Sequence, residues 1–382
     1  KTGTPPRLSK KSIDWSKTQI EYGDKNPVPF SYLTKKFNPV NHPCHSIRTN
    51  QDTHDIIHNN INLSPMFSGD IGGVGPRYCP SIEDKIYRFS DQSSHHLFLE
   101  PEWNSSDQIY LNGFSTSLPE GVQHKALKLI PGLENVVFLR PGYAIEYDFF
   151  PPAQLRSSLE TKEVRGLFFA GQMNGTSGYE EAAAQGLLAG INAVASIQET
   201  KPLSLSRASS YIGVMVDDLI TKDTLEPYRM FTSRAEYRLM IRYTNTGDRL
   251  YETALGVGVL EGERKNNIYQ SLQSKENLKK ALLKSVSKDD LSTDIEIKHA
   301  LPAKDLLKRP EISIVDLPKK TRPTNNRLPP WLQEEVLFDV ESDIKYEGYI
   351  KRHLSEIEKM KKSENLKLDT DTDYKKLLGL SS

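Results

Sequence analysis

The chain contains 382 residues, with 50 basic and 50 acidic side chains that cancel and a hydrophobic share of 37%. The length predicts two or three globular domains, and the balanced charge restricts any nucleic-acid-binding surface to a local patch. The two cysteines, Cys44 and Cys79, exclude a disulfide framework or a cysteine-rich zinc module and favour a reducing compartment, and no apolar run approaches the ~20 residues that a membrane span requires.

The first part of the chain is predicted to be irregular. Residues 1–41 are rich in Pro, Lys and Ser, which is typical of an entry linker. The sequence starts without a methionine and without a signal-peptide pattern, so its start is either processed or cut from a longer chain, and we favour the cut.

A short helix is predicted over residues 52–60, with His54 and His58 four residues apart on one face. The spacing is similar to that of a zinc-protease helix, but Asp55 replaces the catalytic glutamate and no third ligand is apparent. We therefore expect surface or interface histidines and no metal site.

A glycine-rich loop leads into a further helix. Four glycines in the seven positions 69–75 would allow this loop to close over a ligand. Arg77 favours the thiolate form of nearby Cys79, and Pro80 with Ser81 predicts a helix start. Cys79 is therefore a candidate nucleophile, and the alternative is a buried, inert cysteine.

A small α/β unit follows the loop. Alternating apolar residues predict strands over 96–100, 108–111 and 136–139, with a helix over 122–130. The segment 147–152 is predicted to cross back into a second sheet.

Residues 166–197 combine a short apolar run, a glycine turn and a helix of small residues. The run 167–170 predicts a strand that is buried on both faces of a parallel sheet. In the helix, Ala182, Gly186 and Gly190 recur every four residues, so one ridge is nearly free of side chains and can accept a flat ligand.

The turn itself favours nucleotide binding. Gly171, Gly175 and Gly178 permit positive φ and close backbone approach, while Thr176 or Ser177 can cap the helix. A strand, a glycine turn and a helix in this order usually hold a nucleotide. The alternative is that the glycines only allow close packing of the helix on a sheet.

Two glutamates limit which part of a nucleotide the turn holds. Glu180 and Glu181 lie in the first helical turn, where they complement the helix dipole but repel a pyrophosphate. We therefore expect a ring or ribityl chain near this turn. A neighbouring Rossmann half is also expected, although no G-x-G-x-x-G string occurs in the sequence.

After Pro202 the pattern becomes mainly helical. Arg234, Arg238 and Arg242 are spaced four residues apart, which predicts a basic stripe on one face of a helix that also carries Tyr237. Such a stripe can follow RNA phosphates while tyrosines stack on bases. The alternative is a helix stabilised by internal salt bridges.

The C-terminal part contains Lys-rich amphipathic segments between about residues 265 and 320, a proline-rich linker at 321–330 and an amphipathic helix at 341–362. The apolar face of the last helix favours packing within a bundle.

Several strings in this sequence resemble the GidA family. They are the glycine-rich loop with PRYCPSIEDK at 76–85, RPGYAIEYD at 140–148, the turn and helix at 171–186, and EPYRMFTSRAEYR at 226–238. The resemblance extends from Lys1 to about Arg249 and strengthens again at 345–350, KYEGYI.

This resemblance implies the flavin-binding subunit of an enzyme that modifies the wobble uridine of tRNA. A carboxymethylaminomethyl or related aminomethyl group would be added at C5, with FAD as cofactor, NADH as reductant and methylenetetrahydrofolate as the one-carbon donor. The implied partners are tRNA, a GTP-hydrolysing subunit and a second copy in a homodimer, with no membrane span. Glycine, taurine and ammonia all stay open as the amine donor.

The resemblance also implies roles for particular residues. Cys79 matches a catalytic cysteine assisted by Arg77, and the chemistry supplies a reason, because uracil C5 is a poor nucleophile until a thiolate adds at C6. The implied flavin contacts are Gly171, Gln172, Asn174, Gly175, Thr176 and Gly178. The implied nicotinamide-nucleotide contacts are Gly75, Pro76, Tyr78, Glu83, Asp84 and Lys85. The implied tRNA contacts are Arg234, Arg238 and Arg242.

Three departures from the family pattern qualify these expectations. The dinucleotide fingerprint and a second functional cysteine would lie upstream of Lys1, and the partner-docking end would lie beyond Ser382. The loop at 243–247 replaces a more acidic one. We therefore expect the function in the full-length protein, with this segment holding FAD weakly or not at all.

The predicted fold class is α/β, with a partial FAD-binding Rossmann-like domain, an inserted α/β domain and an all-α C-terminal domain. The predicted domains are 1–146 for the inserted domain and linker, 147–201 for the C-terminal part of the FAD-binding domain, and 202–382 for a helical region that binds tRNA or a partner. The alternative functions are a folate- and FAD-dependent tRNA uracil-5-methyltransferase and a non-catalytic tRNA-binding fragment. The Lys- and Asn-rich tail favours a mitochondrial location, with the bacterial cytoplasm as the alternative.

Overall fold

The computed structural model describes residues 1–40, 42–72, 75, 80–222, 226–291 and 297–364. These residues form two compact units. Unit 1 comprises Lys1–Pro29, Lys36–Arg207 and Tyr211–Phe231, and unit 2 comprises Phe30–Lys35, Ala208–Ser210 and the described chain from Thr232 onward. None of the described helices is both long enough and apolar enough to cross a membrane.

Unit 1 is built from short strands and six helices within its described residues. The strands are β1 (Thr2–Gly3), β2 (Arg7–Ser9), β3 (Gln19–Glu21), β4 (Cys44–Arg48), β5 (His96–Pro101), β6 (Gln108–Asn112), β7 (Phe138–Arg140) and β8 (Ala144–Ile145). The helices are α1 (Gln51–Asn59), α2 (Pro65–Ser68), α3 (Ile82–Arg88), α4 (Glu120–Leu127), α5 (Tyr179–Ile197) and α6 (Tyr211–Thr221).

Six of these strands form one antiparallel sheet in the order β3-β4-β5-β6-β2-β7. Alternate residues of β5 and β6 face the core, so that Leu99 pairs with Leu111 and both are fully buried. Helices α1, α3 and α4 contribute Ile57, Ile86 and Ala126 to the same hydrophobic cluster. This alternation is the reason why the sequence predicted β5 and β6 correctly. The helices predicted over 52–60 and 122–130 are confirmed as α1 and α4.

The predicted linker at residues 1–41 is wrong, because this segment supplies β1, β2 and β3. Leu8 in β2 is fully buried, and it pairs with Ile109 on one side and with Phe138 on the other. A three-residue strand is too short to show a period of two. Only distant partners in the chain define it as a strand.

The second part of unit 1 holds the glycine turn. The parallel strand predicted at 167–170 is wrong, since only an isolated antiparallel bridge joins Phe168 to Glu160. Phe169 is nevertheless buried and packs in a second cluster with Leu188 of α5 and Met215 of α6. Of the run predicted to be buried on both faces, Phe169 lies in the core, whereas Leu167 is 40% exposed. A ladder would also require a neighbouring strand.

Unit 2 is mainly helical, as the sequence predicted. It contains α7 (Thr246–Gly256), α8 (Gly262–Ala281), β9 (Ser285–Val286), β10 (Leu301–Pro302), α9 (Ala303–Leu307), α10 (Pro330–Lys345) and α11 (Glu347–Glu364). The helix predicted over 341–362 is divided, because α10 ends before Tyr346 and α11 begins after it. The hydrophobic core of unit 2 includes Leu278 of α8, Leu306 of α9 and Leu332 of α10.

A buried charge network joins α8 and α10 to the segment before α7. Asp339 is fully buried and Lys275 is 3% exposed, with Lys275 Nζ 2.8 Å from Asp339 Oδ2. Arg242 Nη2 lies 2.8 Å from Asp339 Oδ1, and Thr244 Oγ1 donates to the same oxygen at 2.6 Å. Burial opposes ionisation of Asp339, but Lys275 and these hydrogen bonds hold its pKa below its usual value.

Glu335 on α10 provides a test of this network. Burial raises the pKa of Glu335 to about 7, with Lys275 lowering it and Asp339 raising it further. A carboxyl with a raised folded-state pKa favours folding below its ordinary pKa, and this contribution is lost as the pH rises through about 7. We expect Glu335→Gln to raise the free energy of unfolding relative to wild type at pH 8 and to lose this advantage near pH 5, as measured by urea denaturation.

The matched control is Glu334→Gln on the adjacent, exposed position. For this variant, the difference in free energy of unfolding from wild type should be the same at pH 5 and pH 8. A Glu335→Gln effect that is the same at both pH values would contradict the buried-carboxyl interpretation.

Candidate functional site

Helix α3 follows the glycine-rich loop. It begins at Ile82 after the N-cap Ser81, whose Oγ accepts a hydrogen bond from Asp84 N at 3.1 Å. The helix start predicted here is confirmed. The predicted site residues Pro76, Arg77, Tyr78 and Cys79 lie outside the described residues.

Two polar side chains fix α3 to the turn beside it. Glu83 is fully buried, and its Oε1 accepts hydrogen bonds from Thr116 Oγ1 at 3.0 Å and from Ser117 N at 2.9 Å. Lys85 Nζ donates to Gly113 O at 2.8 Å. Glu83 and Lys85, two of the predicted nicotinamide contacts, therefore have a structural role in fixing α3.

The other described members of that set lie close together. A Cβ added to Gly75 would be 3.9 Å from Asp84 Oδ2, so Gly75 lies near the first turn of α3. Asp84 also lies 3.5 Å from Arg88 Nε.

The glycine turn has the positive φ predicted from the sequence at Gly171 and Gly175, whereas Gly178 has φ of −74°. Gly171 and Gly175 have φ of +75° and +70°, which favours glycine over any residue with a side chain. A Cβ on Gly175 would come within 2.7 Å of the Phe149 ring. Phe150 N donates to Met173 O at 2.8 Å, so the segment before the turn packs directly on it.

Gln185 of α5 is the residue that sequence reasoning missed. Its Oε1 accepts hydrogen bonds from Gly171 N at 2.8 Å and from Asn174 Nδ2 at 2.9 Å, and Asn174 Nδ2 also donates to Phe169 O. Gln185 is fully buried and Asn174 is 1% exposed. The sequence signal for this contact is a lone glutamine within a run of Ala and Gly. A helix face of small residues can pack closely, and a glutamine buried there must find hydrogen-bond partners.

The predicted helix cap is wrong. The N-cap of α5 is Gly178, and no side chain caps the helix. Thr176 is buried beneath the turn with its hydroxyl near Asn174 O, so it cannot reach the first helical N–H groups. The first turn of α5 consequently has N–H groups that no side-chain cap satisfies.

Glu181 is used to hold a distant segment. It is 5% exposed, and its Oε1 accepts hydrogen bonds from Met230 N at 2.9 Å and from Arg229 Nε at 3.3 Å. Tyr228 N donates to Gly175 O at 2.8 Å. The stretch 228–230 is therefore fixed across the glycine turn, whereas Glu180 is exposed to solvent.

A second contact anchors the same stretch. Tyr228 OH donates to Asp218 Oδ2 at 3.1 Å, and Asp218 Oδ1 accepts from Arg207 Nη1 at 2.7 Å and lies 2.6 Å from Lys222 Nζ. Burial opposes ionisation of Asp218, but Lys222 and Arg207 hold its pKa below its usual value. The carboxylate is therefore charged and fully paired at neutral pH.

The three predicted RNA-binding arginines do not form one helical stripe. Thr232–Arg234 is a single 3-10 turn and the chain continues in turns up to α7, so the helix predicted over 234–242 is wrong. Arg238 is exposed and Arg234 is half-buried. Arg242 is paired with Asp339 and Asp343, which is the internal salt-bridge alternative.

Comparisons with known proteins agree with these features. The family model described as glucose inhibited division protein A matches residues 1–201, and that of the tRNA modifying enzyme MnmG/GidA C-terminal helical domain matches 263–354. The chain belongs to the GidA family.

Similar proteins extend over the whole chain. A protein of Geobacillus kaustophilus named tRNA uridine 5-carboxymethylaminomethyl modification enzyme MnmG is 47% identical over 390 residues, covering 100% of this chain and 61% of the relative. The Borreliella afzelii protein of the same name is 48% identical over 387 residues, with the same coverage. The chain thus spans 61% of the length of these curated relatives.

A solved structure confirms the fold class. Aquifex aeolicus GidA in the form I crystal superposes with a TM-score of 0.82 at 42% identity, covering 100% of this chain and 62% of that one. The prediction of an α/β part followed by a helical C-terminal part is confirmed by this match and by the C-terminal helical family model.

GidA is an FAD-binding family, and the glycine turn fits such a cofactor. The uncapped N–H groups at the start of α5 can donate to a ring carbonyl. Asn174 Oδ1 is buried without a hydrogen-bond partner among the described residues, so it can accept from a ring N–H. Gln172 is half-buried at the same turn.

The small-residue ridge of α5 is also compatible with a ligand or a further layer of protein. A Cβ added to Gly186 or Gly190 would meet nothing within 4 Å. Leu187 and Val194 on this side of the helix are 57% and 51% exposed. Within the described residues, the ridge is therefore not used for close packing on a sheet, which was the alternative interpretation of its glycines.

The contact between Glu181 and the 228–230 stretch can be tested directly. We expect Glu181→Ala to lower the free energy of unfolding by about 1–3 kcal/mol, because the part-buried N–H of Met230 loses its acceptor. Hydrogen–deuterium exchange of the peptide that contains Met230 should become faster.

Glu180→Ala is the matched control, since it removes the same charge from the same helical turn at an exposed position. Its effect should stay within about 1 kcal/mol, from the helix dipole alone. Equal exchange rates at Met230 in the two variants would contradict the assigned role of Glu181.

Proposed function

We propose that this chain belongs to an FAD-dependent enzyme that adds a carboxymethylaminomethyl or related aminomethyl group to C5 of the wobble uridine in tRNA. The observation that carries the proposal is the 47% identity along the whole chain to a protein named for this modification. NADH as reductant and methylenetetrahydrofolate as one-carbon donor are part of the proposal. The second family match, over the helical part, favours it over the uracil-5-methyltransferase alternative.

The proposed flavin-binding residues are those of the glycine turn, namely Gly171, Gln172, Asn174, Gly175, Thr176 and Gly178. Their support is the buried amide pair that fixes the turn and the uncapped start of α5. When bound, FAD would supply the redox chemistry. The protein's contribution at this position is to orient the ring and to exclude water.

Cys79 is the proposed nucleophile, with Arg77 stabilising its thiolate. Addition of a thiolate at C6 of uracil places electron density on C5, which can then attack a one-carbon electrophile. Loss of the C5 proton and departure of the thiolate restore the aromatic ring. The proposed nicotinamide contacts flank this cysteine in the sequence and are Gly75, Pro76, Tyr78, Glu83, Asp84 and Lys85.

The organisation of the whole protein is also a proposal. The domain boundaries 1–146, 147–201 and 202–382 are proposed as predicted, with a GTP-hydrolysing subunit, a homodimer and tRNA as partners. The bacterial alternative for location is supported by the named relatives, which are from bacteria. A mitochondrial location is supported by the composition of the tail alone.

The role of Cys79 is tested by replacing each cysteine in the full-length protein. We expect Cys79→Ser to abolish the modified nucleoside in the tRNA of a complemented deletion strain, as measured by mass spectrometry, because the hydroxyl is not ionised at neutral pH. The protein should remain folded.

Cys44→Ser is the control and should retain modification. Cys44 lies in β4, where burial, followed by the Glu100 carboxylate, raises the pKa of its thiol and so disfavours the thiolate. Full modification by the Cys79→Ser protein would remove Cys79 from the mechanism.

The RNA contact is proposed for Arg234 and for the exposed Arg238, whereas Arg242 pairs with carboxylates of its own unit. We expect Arg238→Ala to weaken tRNA binding by the full-length protein and to reduce the slope of log affinity against log salt by about 1. Arg242→Ala should instead lower the free energy of unfolding, by about 3–5 kcal/mol, since it leaves Asp339 buried with less compensation.

Arg264→Ala serves as the control for charge, because Arg264 is an exposed arginine of α8 outside the 226–238 string. Its salt dependence should match wild type. If the slope of log affinity against log salt is unchanged in Arg238→Ala, Arg238 does not contact an RNA phosphate.

A further inference from the structure

A cavity of about 490 Å³ lies in unit 2 between the turn that precedes α10, α8 and α10 itself. This volume is within the roughly 300–1,000 Å³ range of ligand pockets. One wall is aliphatic, formed by Leu328, Val336 and Leu337. The remaining lining residues are Ser274, Lys319, Arg322, Pro323, Thr324, Asn325 and Gln333, so none of the lining residues is acidic or aromatic.

Arg322 and Lys319 give this cavity an uncompensated positive charge. The Nε of Arg322 is buried, and no described group accepts a hydrogen bond from it. Neither side chain takes part in an ion pair within the described residues. Positive charge that no carboxylate compensates favours an anion in the cavity.

Three other lysines of this unit have carboxylate partners. Lys320, next to Lys319 in the chain, lies 2.6 Å from Asp290 Oδ1. Lys304 lies 3.0 Å from Glu347 Oε1, and Lys345 lies 2.8 Å from Glu341 Oε1. No residue that lines the cavity is acidic, so the positive charge of Lys319 and Arg322 is complementary to an anion.

The cavity wall is held rigidly by its own hydrogen bonds. Thr321 Oγ1 donates to Pro318 O at 2.7 Å, and Asn325 Nδ2 donates to Ser274 Oγ at 2.8 Å. Gln333 Nε2 donates to Leu328 O at 2.9 Å, which orients its amide. In the described part of the chain no group donates to Gln333 Oε1, so this oxygen can accept a hydrogen bond from a ligand.

We propose that this cavity binds the C-terminal end of a peptide whose last side chain is aliphatic. The terminal carboxylate would bind Arg322 and Lys319, the last backbone N–H would donate to Gln333 Oε1, and the side chain would pack on Leu328, Val336 and Leu337. A nucleotide is disfavoured because its base would find no aromatic side chain on which to stack.

The test uses acetyl-Gly-Gly-Leu with a free carboxylate and the same peptide with a C-terminal amide, titrated into the full chain by calorimetry. We expect saturable binding of the acid and at least about tenfold weaker binding of the amide, because only the acid can pair with the two cations. Equal binding of the two peptides, or binding of neither, would overturn the proposal.

Substitutions then locate the site. Arg322→Gln should weaken binding of the acid about tenfold and Lys319→Gln several-fold, whereas Lys320→Gln, which removes the same charge from the neighbouring paired residue, should bind as wild type. Adenosine monophosphate should not compete. Competition by this nucleotide that is lost in Arg322→Gln would identify a nucleotide site instead and contradict the peptide assignment.

Discussion

Two polar side chains on one face of α5, Glu181 and Gln185, hold together the part of unit 1 on which its proposed chemistry depends. Their spacing of four residues places both over the same side of the helix. Gln185 binds the turn through Gly171 N and Asn174, and Glu181 binds the stretch that ends at Met230. A left-handed glycine turn has no conformational preference strong enough to maintain itself, so these buried contacts define its shape.

Buried polar contacts also hold unit 2 together, but here they are ion pairs and not amide hydrogen bonds. Asp339 and Lys275 neutralise each other between α10 and α8, and Arg242 joins them from a segment without regular structure. Charged groups are tolerated in such a core only when they are paired and hydrogen-bonded. The distinction between paired and unpaired cations then separates Arg242 from residues such as Arg238 and Arg322, to which no carboxylate is paired among the described residues.

Helix α3 is fixed by a buried carboxylate. Glu83 accepts hydrogen bonds from Thr116 and Ser117, in the segment that follows β6, and burial of this carboxylate is tolerated because these groups replace its hydration. In the sequence the proposed nucleophile Cys79 precedes this helix by three residues.

The sequence by itself determined the elements with a clear local period, among them β5, β6, α1 and α4, and also the glycine turn, the helical C-terminal part and the family. It determined these because alternation, helical spacing and glycine requirements are local properties of the chain. Tertiary structure decided the strand character of residues 7–9, the loss of the helix around Arg238 and the partners of Glu181, Gln185 and Arg242. Each of these depends on a contact between residues that are far apart in the chain. Tertiary packing determines whether a carboxylate or a guanidinium contacts a ligand or an opposite charge. The local sequence around the charged residue does not specify which distant residue packs against it.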